Sequence, residues 1–371
     1  MKEKVRVGII GHTGRGNYGH GLDVCWTEMD EAVIIGIADA DEKGRAAAKE
    51  RLRAPAAFAD YRELLDKAKP DIVSICTRHP DQHRDMFLAA AERGIHAYME
   101  KPMCRMPAEA DQMVAACEKH QVKLAIGHLT RFSPILDVVL ALIHEGAIGK
   151  VLELRGRGKE DPKRGGGEDL WVLGSHIMNL IHAIGGEPKW CFATMMQDGH
   201  AVTKADVAPG NEGLGPLAGD TVHATFELDG GRQASFDSVR GAGTGRRPWR
   251  FGLQVFGSKG VIEILTGYLP DAWILRDAAW SPGRTGKKWE RITSAGVGKP
   301  ELIQGDWRLL GNIAACRDLI QSIHDDRQPE CDVYQGRLTV EMINAVFVSQ
   351  RTGGRVSFPL KTRENALSLM K

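Results

Sequence analysis

Two side chains in the sequence are suited to moving a proton near neutral pH, and each lies in a short motif. Lys101 ends the stretch IHAYMEKP (residues 95–102), so a strand would carry it to the carboxyl edge of a sheet, where open α/β sheets place ligands. A lysine there acts as a general acid or base when its pKa is lowered. His176 lies in GGGEDLWVLGSHIMNLIHAIGG (residues 165–186), and imidazole titrates near neutral pH. The alternatives are a solvated lysine and a hydrogen-bonded core histidine.

The segment around His176 predicts a helix over residues 169–184. The three- and four-residue spacing of a helix would place one set of side chains on a common face: Asp169, Val172, His176 and Asn179. Asp169 follows three glycines and also suits a helix N-cap. His182 falls on another face, and we interpret it as structural.

A glycine-rich loop follows the first apolar run, in VRVGIIGHTGRGNYGHG (residues 5–21). Binding of a dinucleotide pyrophosphate needs a strand, a glycine turn and a helix, and residues 22–30 are predicted as that helix. Gly11 and Gly16 fit the first and third positions of G-x-G-x-x-G, whereas Thr13 stands at the second. The alternative is a glycine turn in another α/β fold.

Asp39 strengthens the dinucleotide interpretation. It ends the second apolar run, AVIIGIADAD (residues 32–41), where a carboxylate would accept hydrogen bonds from ribose hydroxyls. No arginine follows directly, since Ala40 and Asp41 come next, so NAD is favoured over NADP. The alternative is a solvated aspartate at a strand end.

The elements that must position these residues fall into two groups. Strands alternate with helices up to about residue 130, which predicts a doubly wound parallel sheet. Alternating strands such as HATFELDG, RQASFDSV and GVIEIL then predict a largely antiparallel sheet with one exposed face. The predicted domains are residues 1–128 and 129–371.

Composition narrows the class of protein. The 371 residues contain 49 Lys and Arg against 48 Asp and Glu, so the net charge of +1 gives no reason to expect nucleic acid or an anionic membrane as a partner. The 7 cysteines form no C-x-x-C pair, which favours reduced thiols and no metal site. With no visible signal peptide or long apolar segment, we expect a soluble cytoplasmic protein.

The order of these motifs resembles the glucose–fructose oxidoreductase, inositol dehydrogenase and rhizopine-catabolism family (Gfo/Idh/MocA). The glycine loop, EKP and GSH are joined by TRFSP, GAIGKV, GSKGVIEI and SQRTGGRVSFPL, so the resemblance spans almost the whole chain. It implies an N-terminal Rossmann domain and a C-terminal α/β domain with a large open sheet. That sheet often mediates oligomerisation in the family, so a homodimer or homotetramer is expected.

The resemblance also implies roles for individual residues. Lys101 matches the family's catalytic lysine, and His176 matches the histidine of its G-x-H-x-x-D pattern. A nicotinamide cofactor would contact the following residues: Gly11, Thr13, Gly14, Arg15, Gly16, Asp39, Thr77, Arg78, His79, His83, Glu100 and Lys101. The expected substrate is a sugar, polyol or cyclitol. Polarity and position suggest that four residues would meet it: Arg131, Lys159, Glu160 and Asn179. The resemblance adds Val172, at the position of a family Asp, and Asp161 and Asp169 as its substitutes.

Two departures from the family pattern bear on the chemistry. Val172 stands where the family usually has Asp, and Asn179 stands where a second Asp is common. The usual Lys–Asp–His relay is therefore incomplete unless Asp169 or Asp161 substitutes. The family's T-P-N-x-x-H is replaced by TRHPDQH (residues 77–83). Arg78 and His79 therefore either line the nicotinamide side of the cleft in a way that differs from the family or form a solvated loop.

The sequence favours NAD-dependent oxidation of a secondary hydroxyl on a sugar-like small molecule. Lys101 or His176 would take the hydroxyl proton, and the other would stabilise the developing oxyanion. One alternative retains NAD and uses transient oxidation to cleave a glycoside or to exchange hydride between two sugars. A second alternative is a non-catalytic regulator that binds the dinucleotide.

Overall fold

The computed structural model describes residues 4–243 and 250–371, and the chain divides into two compact units. Unit 1 contains Met1–Leu129, Asn211–Gly215 and Gly305–Val340; unit 2 contains Thr130–Gly210, Pro216–Gln304 and Glu341–Lys371. The units therefore differ from the two contiguous domains expected from the sequence. The reason is a late helix, Trp307–His324, which packs against Val24–Glu28 and Leu124–Ile126 of unit 1.

Unit 1 is built on a six-stranded parallel sheet with the order β3-β2-β1-β4-β5-β6. Its central strands are apolar and buried on both faces, as expected for a parallel sheet covered by helices. The strands are β1 Val5–Ile10, β2 Ala32–Ala38, β3 Ala57–Phe58, β4 Ile72–Ile75, β5 His96–Met99 and β6 Leu124–Ile126. The strand order reverses between β1 and β4, the place where such sheets bind ligands.

Helices cover this sheet, and several begin at an aspartate that accepts a main-chain N–H. Asp41, Asp60 and Asp306 cap three of them in this way. The helices are α1 Glu42–Arg51, α2 Tyr61–Ala68, α3 His83–Ala91 and α4 Pro107–His120 in the first segment of unit 1. The helix expected over residues 22–30 is instead a 3₁₀ turn, Val24–Glu28, without a side-chain cap.

Unit 2 is built on an eleven-stranded sheet in which β7 and β13 run parallel and the other neighbours run antiparallel. Its strands are β7 Val151–Arg157, β8 Pro188–Gln197, β9 His200–Ala201, β12 Thr221–Leu228, β13 Gln233–Val239, β14 Gly252–Gly257, β15 Gly260–Leu265, β16 Ala272–Leu275, β17 Trp289–Thr293, β18 Gly296–Val297 and β19 Val356–Ser357. A separate ribbon pairs β10 Ala208–Pro209 with β11 Pro216–Leu217. The expected α/β fold with a mostly antiparallel second sheet is confirmed.

The helices that lie wholly in unit 2 alternate along the chain with the strands of that sheet. They are α5 Pro134–His144, α6 Gly167–Val172, α7 Gly174–Gly185 and the short α8 Pro282–Thr285. The remaining helices are α9 Trp307–His324 in unit 1 and α10 Val333–Thr352, whose residues fall in both units. Helix α7 lies against β7, β13 and β14.

The single helix predicted over residues 169–184 is broken at Leu173, which separates α6 from α7. Asp169 and Val172 therefore lie on one helix, and His176 and Asn179 on the next. The argument that all four share one helix face was wrong. Gly174 lets the main chain at this break pack closely against Phe236, because a Cβ on residue 174 would lie 2.7 Å from the Phe236 ring.

No helix in residues 4–243 or 250–371 is long and apolar enough to cross a membrane.

Candidate cofactor and active site

The glycine loop after β1 is a tight turn closed by its own main chain. His12 and Asn17 exchange N–H···O=C bonds of 3.3 and 2.9 Å, and Gly14 donates to the Asn17 side chain at 2.9 Å. A Cβ on Gly11 would lie 2.2 Å from the Tyr18 ring, so glycine at this position makes room for an aromatic side chain. Gly16, at φ 84°, brings the turn against the main chain of Arg78.

Asp39 lies at the carboxyl end of β2 and contacts this loop directly. Its carboxylate accepts from the Thr13 N–H at 3.1 Å, from the Thr13 hydroxyl at 2.7 Å and from the Asp41 N–H at 3.0 Å. The side chain is buried, and burial together with the Asp39 carboxylate raises the pKa of the neighbouring Tyr18 hydroxyl. The structure thus places Asp39 against the glycine loop through Thr13, and its bonding to ribose hydroxyls stays a prediction.

A cavity of about 170 Å³ opens beside Asp39 at the carboxyl end of β2. Gly11 and His12 form one wall, and Ala59, Tyr61 and Met86 add apolar surface for a base. No lysine or arginine lines this cavity in the described part of the chain, whereas Asp39 and Asp60 both do. Arg45 lies nearby, but its guanidinium donates to the Asp39 carbonyl at 2.8 Å.

The segment TRHPDQH connects the glycine loop to the Lys101 motif. Thr77 donates its hydroxyl to the Arg15 carbonyl at 3.1 Å, and Arg78 donates to the Gly16 carbonyl at 3.2 Å. His83 is buried, with ring nitrogens 2.7 Å from the Thr77 carbonyl and 2.9 Å from the Pro102 carbonyl. It therefore ties the end of β4 to the turn that carries Lys101.

Arg15 and His79 have further neighbours in the same region. Arg15 forms an ion pair with Asp81 of the TRHPDQH segment. Burial lowers the pKa of His79, and the surrounding Arg15 and Arg78 charges lower it further, against an opposing effect of Glu212. Burial also lowers the pKa of His83, which its carbonyl partners oppose.

Glu100 and Lys101 follow β5 at the same edge of the sheet. Both are nearly buried, the Lys101 side chain being 8% exposed, and the Lys101 Nζ lies 3.9 Å from Glu100 Oε1. The imidazole of His20 contacts the same oxygen through Nδ1 at 3.1 Å. Burial alone would raise the pKa of Glu100, but the neighbouring basic groups His20 and Lys101 hold it below its usual value.

His176 lies in the first turn of α7 in unit 2, with its ring edge-on to Phe251 at 6.4 Å between centroids. Asn179, one turn further along, is buried and accepts from Arg131 at 3.5 Å. His182 is also buried, and its Nε2 lies 3.4 Å from the Asn179 amide nitrogen. The structure thus brings together Arg131 and Asn179 of the predicted substrate set.

Two other members of that set are fully buried carboxylates that hold a loop. Asp169 Oδ2 accepts from the Ser238 hydroxyl at 2.6 Å and from the Glu160 N–H at 3.0 Å. Glu160, at φ 58°, accepts from the Val239 N–H at 3.0 Å and pairs with Arg157 and Arg250. Their contacts are structural, and a direct role in binding substrate stays a prediction.

The rest of the predicted substrate set lies around the same loop. Lys159 and Asp161 are partly exposed and approach each other at 3.8 Å. Val172 is buried on α6. Burial raises the pKa of Asp169 to about 6, while the bonds from Ser238 and the main chain limit the rise.

Comparison with known families matches both parts of the chain to models of one family. Residues 5–128 match the model of an oxidoreductase family with an NAD-binding Rossmann fold, GFO/IDH/MocA, and residues 138–263 match the C-terminal domain of the same family. The chain belongs to the Gfo/Idh/MocA family. Unit 1 thus contains the NAD-binding domain of a family of NAD-dependent oxidoreductases, as the motifs predicted.

Named relatives extend this comparison. The chain is 33% identical to D-apiose dehydrogenase of Paraburkholderia graminis over 33% of each protein. It is 26% identical to myo-inositol 2-dehydrogenase of Thermotoga maritima over 70% of this chain and 74% of that enzyme. The fold matches levoglucosan dehydrogenase, solved with NADH and levoglucosan, with a TM-score of 0.77 at 20% identity, over 96% of this chain and 100% of that one.

The sequence interpretation missed two residues that contact the predicted site. Tyr18 and His20 stand between the glycines of the loop, and the sequence analysis assigns a role to neither. The structure places the Tyr18 ring on Gly11 and the His20 ring on Glu100. The contact of His20 with Glu100 spans 80 residues, so no local spacing could have revealed it.

Proposed function

We propose that the protein oxidises a secondary hydroxyl of a sugar, polyol or cyclitol with NAD as hydride acceptor. The observation that carries this proposal is the retention of Lys101 beside a buried carboxylate, at the carboxyl edge of a Rossmann sheet of this family. The relatives named above are dehydrogenases of D-apiose, myo-inositol and levoglucosan, which are all polyhydroxylated substrates.

In this proposal Lys101 takes the proton of the reacting hydroxyl as the hydride leaves carbon. Glu100 fixes the position of the lysine amine, because the two groups are adjacent and screened from solvent. His176 donates a hydrogen bond to the same oxygen as negative charge develops there. Phe251 restricts the orientation of its imidazole ring by an edge-on contact.

The cofactor assignment follows from the cavity beside Asp39. Bound NAD supplies the hydride-acceptor chemistry that amino-acid side chains lack. Asp39 would accept hydrogen bonds from the ribose hydroxyls, and the glycine turn would contact the phosphates. The acidic lining of the cavity opposes a 2′-phosphate, so NAD is preferred over NADP.

The substrate is expected to be neutral and rich in hydroxyls. Arg131 and Asn179 are adjacent and polar, and they are assigned to hydroxyls remote from the reacting carbon. Lys159 and Asp161 are assigned to the same substrate from the partly exposed side of their loop.

The proposal also includes a homodimer or homotetramer formed through the sheet of unit 2. Phe192 on β8 is 44% exposed and Trp289 on β17 is 40% exposed, and the strand register places both on the face of the sheet that carries Glu153 and Arg155. An open sheet face that carries large apolar side chains is a candidate surface for self-association. Analytical ultracentrifugation tests this part directly.

The first experiment asks whether purified protein carries nucleotide. The protein is denatured, and the supernatant is separated by chromatography. Protein without nucleotide is then titrated with NAD and NADP and assayed for NADH formation on a panel of polyols and sugars. The outcome expected is dissociable NAD and net NADH formation on at least one member of the panel.

Two variants test the proton-transfer roles. Lys101→Met and His176→Asn should each lower kcat by at least ~100-fold, the usual contribution of general acid–base catalysis, and leave NAD affinity within about threefold. Lys189→Met and His200→Asn are the matched controls, since both side chains pair with aspartates on the surface of unit 2. Near-normal kcat in Lys101→Met and His176→Asn would refute the assignment.

A second candidate function is redox-neutral chemistry on a glycoside or between two sugars, with NAD retained. The observation in its favour is Val172, a buried apolar residue where the family pattern has an acid, because an altered relay permits altered chemistry. Stoichiometric bound nucleotide together with turnover that releases no NADH would support this candidate over the first.

A further inference from the structure

His20 is unusual for a residue in a glycine-rich turn. Its main chain is in the left-handed region at φ 42°, which side chains other than glycine rarely adopt. Its ring is 41% exposed, yet Nδ1 lies 3.1 Å from the buried Oε1 of Glu100. One edge of the imidazole therefore contacts a buried carboxylate while the rest remains accessible to solvent.

Buried polar groups of unit 1 hold the His20 main chain in place. Asn312 on α9 donates to the His20 carbonyl at 3.0 Å and accepts from the Tyr98 hydroxyl at 2.6 Å. The preceding residue, Gly19, donates to the Cys76 carbonyl at 2.6 Å. A Cβ on Gly19 would lie 3.1 Å from Glu100 Oε2, so a glycine there lets the loop approach the carboxylate closely.

Glu100 is thus shared between two basic side chains. Its Oε1 lies 3.1 Å from His20 Nδ1 and 3.9 Å from Lys101 Nζ. A buried carboxylate next to a lysine stabilises the ammonium form, which cannot accept a proton. A second donor on that carboxylate weakens this stabilisation, because it offsets part of the negative charge.

We propose that His20 is a positioning residue that shares the Glu100 carboxylate with Lys101 and thereby favours the neutral, proton-accepting amine of the lysine. His20 acts through Glu100 and has no contact with the reacting atoms in this proposal. The inference rests on the proposed function of Lys101 as the proton acceptor. In this proposal the charge balance of Glu100 and Lys101 is set by a residue that lies outside the EKP motif.

Other ionisable groups around Glu100 do not replace His20 in this role. Burial raises the pKa values of Cys76 and Tyr98, so both are uncharged near neutral pH. Burial lowers the pKa of His83, whose ring contacts main-chain carbonyls. Arg78 carries a charge, but its Nε donates to the Gly16 carbonyl.

Two substitutions of His20 give opposite expectations. His20→Asn removes the imidazole and tolerates a positive φ, so Lys101 becomes the remaining ion-pair partner of Glu100 and its pKa should rise by about half a unit or more. His20→Arg places a permanent cation beside the carboxylate, so the pKa of Lys101 should fall by about one unit. His200→Asn, which breaks a histidine–aspartate pair in unit 2, is the matched control.

The pKa of Lys101 is measured by NMR titration of cofactor-free protein labelled with ¹³C-lysine. The Lys101 resonance is identified by its loss in Lys101→Met. The Lys101 pKa should be lowest in His20→Arg, intermediate in wild type and highest in His20→Asn. The control His200→Asn should have the same Lys101 pKa as wild type. The pH dependence of kcat/KM for oxidation should move in the same order.

A Lys101 pKa in His20→Asn that equals or lies below the wild-type value would overturn the proposal, even if His20→Arg fails to fold. The NMR titration needs no turnover, so it separates this inference from the proposed function. If Lys101→Met keeps normal kcat, the proposed function fails, while the titration still decides whether His20 controls the lysine.

Discussion

Asp169 offers a sharp test of the structure, because its carboxylate is buried and its pKa is raised to about 6 from an ordinary value of 3.8. In the folded protein the carboxyl group therefore keeps its proton over a pH range in which the unfolded chain has already lost it. Stability contributed by this group is present below about pH 4 and is lost as the pH rises to about 6.

The size of the effect follows from the two pKa values. Their difference, 6 against 3.8, corresponds to about 3 kcal/mol at 1.36 kcal/mol per unit. Asp169→Asn removes the titration but keeps an amide that can bond to Ser238 and to the Glu160 main chain. The free energy of unfolding of the variant, relative to wild type, should therefore rise by about 3 kcal/mol between about pH 4 and pH 7.

The assay is urea denaturation of both proteins at a series of pH values, read as the difference between their free energies of unfolding. Ser238→Ala provides a second variant with a distinct expectation. Loss of the Ser238 hydroxyl bond should raise the pKa of Asp169 further. The free energy of unfolding should then continue to fall as the pH rises above 6. A difference between Asp169→Asn and wild type that does not change with pH would refute the argument.

Two further predictions concern the cofactor half of the site. Asp39→Asn should weaken NAD binding roughly 10- to 100-fold, as expected for loss of a charged hydrogen-bond acceptor, and raise the relative affinity for NADP. Calorimetric titration measures both, with Asp198→Asn as control, and an unchanged NAD affinity would contradict the role. Gly11→Ala should lower the free energy of unfolding by about 1–3 kcal/mol through overpacking against Tyr18. Adding Tyr18→Leu to Gly11→Ala should recover part of that loss. If the two substitutions lower the free energy of unfolding additively in the double variant, the contact between residues 11 and 18 is contradicted.

The elements of unit 1 were predictable because its strands are short apolar runs bounded by glycine, proline and acidic caps. Asp39 and Lys101 lie at strand ends in the sequence, and parallel strands bring their carboxyl ends to one edge. The placement of both residues at that edge therefore follows from pattern alone. Details within the loops, such as the Tyr18 ring on Gly11, depend on packing that no periodicity encodes.

The two helix predictions that failed have tertiary causes. The helix over residues 22–30 is reduced to Val24–Glu28, and this turn packs against α9 from a distant part of the chain. The break at Leu173 lacks a proline, and its nearest sequence signal is Gly174. The glycine is required by the Phe236 ring of β13, which a sequence window around residue 174 does not contain.

Asp169 and Glu160 show what polarity alone does not distinguish, namely a carboxylate that binds substrate and a carboxylate that holds a loop. Both were chosen as substrate ligands for their charge and position, yet their carboxylates accept bonds from Ser238, Val239 and the loop's own main chain. The loop is thus fixed from within by buried acids. Changes in specificity should then arise at Lys159 and Asp161, the partly exposed residues of that loop, because substitutions there leave the bonds of Asp169 and Glu160 intact. Replacing Asp161 also removes the bond that its carboxylate accepts from the Lys163 N–H, so Lys159 is the cleaner position to test. The buried acids would instead report on the loop's stability, which is why Asp169 is better tested by unfolding than by turnover.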